Sequence, residues 1–226
     1  MKQVLLIGAG NMGGALLRGW IENWHTGSAS FHVIDPDPEA PARFPQARFY
    51  ETADQLPADL LPDIVVVAVK PEKVIPILAL IGMSFTSETC VVSVAAGVTI
   101  KQISAATLPD TPVVRIMPNI GATVGYSVSA GFAPAGVQDA IVETLDQMFS
   151  AIGQMTWVET EDNLHVVTAL SGSGPAYYFA FCEAFRDAAV QQGLPVATAQ
   201  RLAAGTCIAA CRMLEYNPTH ISQVRR

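Results

Sequence analysis

Three glycines near the amino terminus, in Gly8-Ala9-Gly10-Asn11-Met12-Gly13, have the spacing of a loop that cradles a diphosphate. The loop follows an apolar run over 3–7 and opens a segment in which Met12, Leu16 and Trp20 recur at helical spacing, so a helix is expected over 11–24. In that setting Gly8 permits a tight turn, Gly10 lets the backbone approach a pyrophosphate and Gly13 lets helix and strand pack closely. The helix N-terminus adds unpaired N–H groups and partial positive charge. Asp35 ends the second β-branched run, about 20 residues past Gly13, where an acid would hydrogen-bond an adenosine ribose. That leans mildly towards NADH. Asp35-Pro36-Asp37-Pro38 also reads as turn chemistry, and a 2′-phosphate would need the carboxylate moved or paired by a base such as Arg43. The expected cofactor is therefore NADPH or NADH.

The elements that must hold this loop are legible as a rhythm. β-Branched runs over 3–7, 30–35, 63–69, 89–95 and 112–117 alternate with helix-like segments, which implies βαβ units and a parallel sheet. The uninterrupted Ile64-Val65-Val66-Val67-Ala68-Val69 fits a central strand covered on both faces. Runs over 126–132 and 154–157 flank a helix-like stretch over 136–152 and would extend one edge. From residue 160 the β-branched runs give way to Ala-rich helical stretches over 161–192 and 195–216, with Gly193 and Pro195 as stop and start signals. The expected class is α/β, with a Rossmann-type doubly wound sheet over 1–159 and an all-α helical domain over 160–226, to which the family resemblance given below adds a dimerisation and substrate role.

Composition narrows the function classes. Thirteen Lys+Arg against 20 Asp+Glu, with no basic run, give no footprint for nucleic acid. The uncharged stretches 116–138 and 164–182 are long enough to raise the question of a membrane span. They are interrupted by prolines, glycines and hydroxyl residues, so both read as protein interior. Cys90, Cys182, Cys207 and Cys211 form no Cys-x-x-Cys pair and have no histidine at zinc spacing. No metal site is expected. Buried thiols, with Cys207 and Cys211 sharing a helix face, suit a reducing cytoplasm.

Beyond the glycine loop, Ala68-Val69-Lys70-Pro71, Ser93-Val94-Ala95-Ala96-Gly97-Val98-Thr99-Ile100, Arg115-Ile116-Met117-Pro118-Asn119 and Ala169-Leu170-Ser171-Gly172-Ser173-Gly174-Pro175-Ala176-Tyr177 complete a set of motifs. Together they resemble the pyrroline-5-carboxylate reductases of proline biosynthesis, over nearly the whole chain. The resemblance implies an oxidoreductase that reduces 1-pyrroline-5-carboxylate to L-proline by hydride transfer from NAD(P)H, working as a homodimer or larger homo-oligomer. It implies that Ala68, Val69, Lys70 and Pro71 line the nicotinamide ribose and that Ala95, Ala96 and Gly97 pass near the ring. Pro118, Asn119, Ser171, Ser173 and Pro175 would bound the substrate, and Glu215 matches a position near the substrate nitrogen. Taken by their types alone, Lys70 and Glu215 also fit solvated charges, and 171–175 a kink between packed helices.

The family pattern continues past a helix like 201–216 with a Ser/Pro/Gly/Thr-rich segment that holds the substrate carboxylate. This chain stops at Val224-Arg225-Arg226, and a truncated chain is the expectation. Two alternatives remain: a hydroxyacid-type dehydrogenase, for which a second-domain lysine is missing since lysine occurs only at 2, 70, 73 and 101, and a dinucleotide-binding module without turnover.

Overall fold

Short runs in which every residue is aliphatic make strands that are apolar on both faces, and these form the centre of the sheet. The computed structural model describes residues 2–24, 29–81, 85–86 and 88–216. The strands are β1 (Lys2–Ile7), β2 (Ala29–Ile34), β3 (Arg48–Tyr50), β4 (Ile64–Val67), β5 (Cys90–Ser93), β6 (Val113–Met117), β7 (Ser127–Phe132) and β8 (Gly153–Trp157). They form one eight-stranded sheet in the order β3-β2-β1-β4-β5-β6-β7-β8. Pairing is parallel from β3 to β6, antiparallel between β6 and β7, and parallel again between β7 and β8. The order reverses between β1 and β4, which is the switch point where open α/β sheets bind ligands.

Alternate residues of each strand feed opposite cores, as the two-residue period of a strand requires. Val4, Leu6, Val33, Ile64, Val66, Val92 and Val114 meet Leu16 and Trp20 of α1 (Asn11–Asn23) and Leu145, Met148 and Phe149 of α5 (Asp139–Ser150). Leu5, Ile7, Ile34, Val65, Val67, Val91 and Val113 meet Val74, Leu78 and Ile81 of α3 (Pro71–Ile81) and Ile103 of α4 (Ile100–Ser104). A short α2 (Ala40–Arg43) follows β2.

Sequence and structure differ in three places. Strand β3 was not expected; its three residues are too few to show a period, and it is held at the edge by pairing with β2. The helix expected over 161–192 is broken into α6 (Asn163–Val167), a π-helical turn Thr168–Gly172 and α7 (Gly174–Gln191). The hydroxyls of Thr168 and Ser171 donate back to the carbonyls of Leu164 and Val167, and Pro175 sits in the first turn of α7. Cys211 is exposed, and Cys182 and Cys207 are only half-buried.

The chain divides into two compact units, Met1–Gly172 and Ser173–Arg226. The compositional change near 160 precedes this division because Leu164 is buried with Met117 and Ala130 of the sheet. In the second unit α7 packs against α8 (Val196–Tyr216), burying Ala199 and Ala203. Gly193, at φ 96°, ends α7. The expectation about the carboxyl terminus falls on 217–226, outside the described residues.

Candidate active site

Because β1, β4, β5 and β6 are parallel neighbours, the segments that follow them emerge at one edge of the sheet. Ile7 pairs with Val67, Val67 with Ser93 and Ser93 with Arg115. The glycine loop, Ala68–Pro71, Ala95–Gly97 and Pro118–Asn119 therefore lie in sequence across four strands, a span of about 14 Å at ordinary strand spacing.

Each loop glycine has a different physical reason. Gly8 has φ 92°, and a Cβ there would meet Val69 Cγ1 at 2.9 Å. A Cβ on Gly13 would fall on the Gly8 carbonyl oxygen, so this glycine is what lets α1 approach β1. Gly10 is different: φ is −65°, and a Cβ there would meet nothing within 4 Å. The protein itself gives no reason for a glycine at this position. A ligand that needs the backbone bare does, and the residues present fit a dinucleotide pyrophosphate over Gly10 and the start of α1. Asn11 is exposed and Met12 half-buried beside it.

An open cleft of about 430 Å³ lies over this loop, lined by Ala9, Gly10, Asn11, Asp35, Asp37 and Arg43. Asp35 closes one side: its Oδ2 accepts the Ala9 N–H at 2.5 Å and its Oδ1 accepts the Asp37 N–H at 2.8 Å. Asp37 in turn accepts Arg43 Nη2 at 2.5 Å and the Glu39 N–H at 3.0 Å. Sequence reasoning missed Gly14, Ala15, Arg18, Phe44 and Thr123, which complete the lining. Arg18 follows the cleft residue Gly14 by one helical turn and could have been found by that spacing; its guanidinium stands 5.9 Å over the Phe44 ring. Thr123 arrives on a 3-10 turn, Ile120–Val124, with no signal in the sequence.

Farther along the edge, the Ala68 N–H donates to the Ile7 carbonyl at 2.8 Å, and Lys70 is exposed just before α3. Ala95 is buried, while Ala96 and Gly97 face solvent, Gly97 with φ 76°. Pro118 is buried. The Asn119 side chain is engaged at both ends: Oδ1 accepts the N–H groups of Gly121 at 3.1 Å and Val128 at 3.2 Å, and Nδ2 donates to the Ser171 carbonyl at 3.0 Å. Two expected substrate residues, Asn119 and Ser171, are thus brought together by a bond within the protein. Ser173, Pro175 and Glu215 belong to the second unit; Ser173 and Glu215 are exposed, and Glu215 accepts Arg212 Nη1 at 3.0 Å.

Among the described residues there is no cluster of metal-ligating side chains and no helix long and apolar enough to cross a membrane. A doubly wound sheet whose glycine loop opens onto a cleft at the carboxyl ends of β1 and β2 defines a dinucleotide-binding protein of the Rossmann class.

Comparison with known proteins narrows that class. The description "NADP oxidoreductase coenzyme F420-dependent" matches residues 3–97, and "Pyrroline-5-carboxylate reductase dimerisation" matches 161–226. The pyrroline-5-carboxylate reductase of Methanosarcina acetivorans is 35% identical, over 99% of this chain and 83% of its own length. That of Pseudomonas aeruginosa is 33% identical, over 99% of this chain and 82% of its own. The solved structure of the Coxiella burnetii enzyme superposes with a TM-score of 0.87 at 30% identity, covering 98% of this chain and 83% of that one. The chain belongs to the pyrroline-5-carboxylate reductase family, whose members are NAD(P)H-dependent enzymes.

Proposed function

We propose that this chain reduces the cyclic imine 1-pyrroline-5-carboxylate to L-proline, using NADPH or NADH. The observation that carries this reading is the bare backbone of Gly10 under an open cleft, in a chain matched along nearly its whole length by reductases of that name. A reduced nicotinamide bound there would supply a hydride to the imine carbon, with the π pair of the C=N bond passing to a nitrogen that already carries a proton.

The protein's part is to position and to exclude water. Gly8, Gly10, Asn11, Met12 and Gly13 present backbone to the pyrophosphate, and Asp35 faces the adenosine ribose. Ala68, Val69, Lys70 and Pro71, with Ala95, Ala96 and Gly97, bound the nicotinamide half. Pro118, buried, shapes the turn, and Asn119 sets the Ser171 segment by holding its carbonyl. For the second unit the resemblance supplies the assignment: Ser173 and Pro175 bound substrate, and Glu215 serves its nitrogen.

The protein acts as a homodimer or larger homo-oligomer in the cytoplasm, without nucleic-acid partners. Tyr177, Tyr178, Phe179 and Phe181 of α7 and Ile208 and Met213 of α8 are exposed, an apolar display that suits burial against a second copy. Light scattering that gives a strict monomer at high concentration would remove this part of the proposal.

The activity is tested by mixing the protein with 1-pyrroline-5-carboxylate and following loss of reduced nicotinamide absorbance. Turnover is expected. Tight dinucleotide binding with no turnover would instead favour a module without catalysis.

A further inference from the structure

The segment assigned to the nicotinamide half, Ala95–Gly97, is anchored at both ends. At the β5 end the Val94 N–H donates to the Val67 carbonyl at 3.2 Å and the Ala95 N–H to Ser93 Oγ at 3.3 Å. At the far end Thr99 and Gln102 cap α4 reciprocally, and the Ile100 N–H donates to Glu161 Oε1 at 2.8 Å. The cap joins residues three apart, whereas the Glu161 bond reaches 61 residues along the chain.

Glu161 is also the root of the stretch that carries Ser171, and both ends of that stretch hang on β6 and the turn after it. Glu161 Oε1 accepts Arg115 Nη1 at 2.8 Å, and the Ser171 carbonyl accepts Asn119 Nδ2 at 3.0 Å. Arg115 is buried, and its Nε finds no hydrogen-bond partner among the described residues. Loss of the acid would strand that charge, so the pair restrains Glu161 to one position. All of these residues lie in the first compact unit.

We propose that Glu161 is a positioning residue for hydride transfer: through Arg115 and the Ile100 N–H it sets the spacing between the segment beside the nicotinamide and the segment beside the imine. It acts through these two segments rather than on a reactant. Reacting atoms must stand about 3–3.5 Å apart, and a displacement of about 1 Å can cost on the order of a hundredfold in rate. Dinucleotide affinity is carried mainly by the glycine loop after β1, so the effect falls on rate. The inference rests on the reading of the chain as this reductase.

The test is single-turnover kinetics. Full-length protein, in excess over reduced dinucleotide and above the dissociation constant measured by calorimetry, is mixed rapidly with saturating 1-pyrroline-5-carboxylate, and the loss of reduced nicotinamide absorbance is followed. Each dinucleotide turns over once on a folded site, so the rate constant does not depend on how much of the protein is folded. Glu161→Ala is expected to lower that constant about tenfold, with dinucleotide affinity changed less than about threefold. Arg115→Met, which frees Glu161 from β6 without stranding a buried charge, is expected to lower it about threefold at nearly unchanged stability. Glu161→Gln keeps an oxygen with two lone pairs for both donors, so it is expected to retain most of the rate although its denaturation midpoint falls. Rate and stability thus move apart in opposite senses in the last two variants.

Rate constants equal to wild type in both Glu161→Ala and Arg115→Met overturn the inference and leave the reductase standing. A loss confined to dinucleotide affinity overturns it too, as does a Glu161→Gln protein as slow as Glu161→Ala, since charge and not the tether would then govern the rate. If Glu161→Ala does not fold, Arg115→Met and Glu161→Gln decide: a slow Arg115→Met with a fast Glu161→Gln supports the tether, and any other pattern overturns it. A wild type without turnover overturns the reductase reading and this inference with it.

Discussion

Arg115 Nη1 donates to Glu161 Oε1 at 2.8 Å, and the same oxygen accepts the N–H of Ile100, the first residue of α4, at 2.8 Å. Arg115 lies in β6 with its side chain 2% exposed, whereas that of Glu161 is 26% exposed. One carboxylate thus ties a central strand to the helix that follows the Ala95–Gly97 segment. The two partners are unequal, because removing the acid strands a buried cation, while removing the base leaves an acid that water can reach. Glu161→Ala is expected to cost about 2–3 kcal/mol and Arg115→Met no more than about 1 kcal/mol. Urea denaturation of both variants measures the asymmetry, and equal losses would contradict it.

The glycine loop offers a second contrast. Gly10→Ala adds a methyl group into empty space at a negative φ, so stability should stay within about 1 kcal/mol of wild type while dinucleotide affinity falls about tenfold. Gly13→Ala drives its methyl into the Gly8 carbonyl and is expected to cost about 3 kcal/mol or more. Thermal melts paired with titration of NADH separate the two. Unchanged affinity in the Gly10 variant would mean that the pyrophosphate lies elsewhere.

The strands over 3–7, 30–35, 63–69, 89–95 and 112–117 were legible because short β-branched runs alternate with helix-like segments, and the loop was legible because its glycines sit between a strand and a helix. Strand β3 was not, since Arg48-Phe49-Tyr50 has no pattern until His32 and Arg48 are set side by side. A kink at Ser171–Pro175 was legible from its glycines and proline, but not the π-helical turn Thr168–Gly172 that makes it, because Thr and Ser bonding back to their own helix leave no periodic trace. In the site, the motif positions were readable, but the locking of Asp35 and the pairing of Arg43 with Asp37 depend on a turn whose geometry composition does not specify.

His32 is buried in β2, with Nδ1 3.0 Å from the Tyr50 hydroxyl and Nε2 3.1 Å from Gln3 Oε1. Since an amide oxygen only accepts, Nε2 carries the proton of the neutral ring and Nδ1 receives the Tyr50 hydroxyl. Burial first, and the Arg48 charge second, hold this histidine below its ordinary 6.5. Between the two values the unfolded chain binds more protons, so the stabilisation present above pH 6.5 is lost as pH falls through the folded value. Denaturation midpoints between about pH 8 and pH 5 should fall on acidification, and less steeply in His32→Gln. Identical slopes would assign the effect to other groups.

Burial pushes the Cys90 thiol up to about 12. In the folded protein it should resist a thiolate-directed reagent such as dithionitrobenzoate and react only on unfolding, while exposed Cys211 is free to react natively. Mass mapping of the labelled residues decides the matter; native labelling of Cys90 would mean that β5 opens.

The strand order also sets a timetable. Strand β1 is made first yet lies in the interior of the sheet, where Ile7 pairs with Ile34 on one side and with Val67 on the other. On a ribosome adding 5–20 residues per second, the second of those edges stays bare for about 3–12 s after β1 is made. Throughout that interval Val4-Leu5-Leu6-Ile7, fully buried in the finished protein, keeps at least one strand edge unpaired in the nascent chain, and this is the window in which a holding chaperone would matter most to its yield.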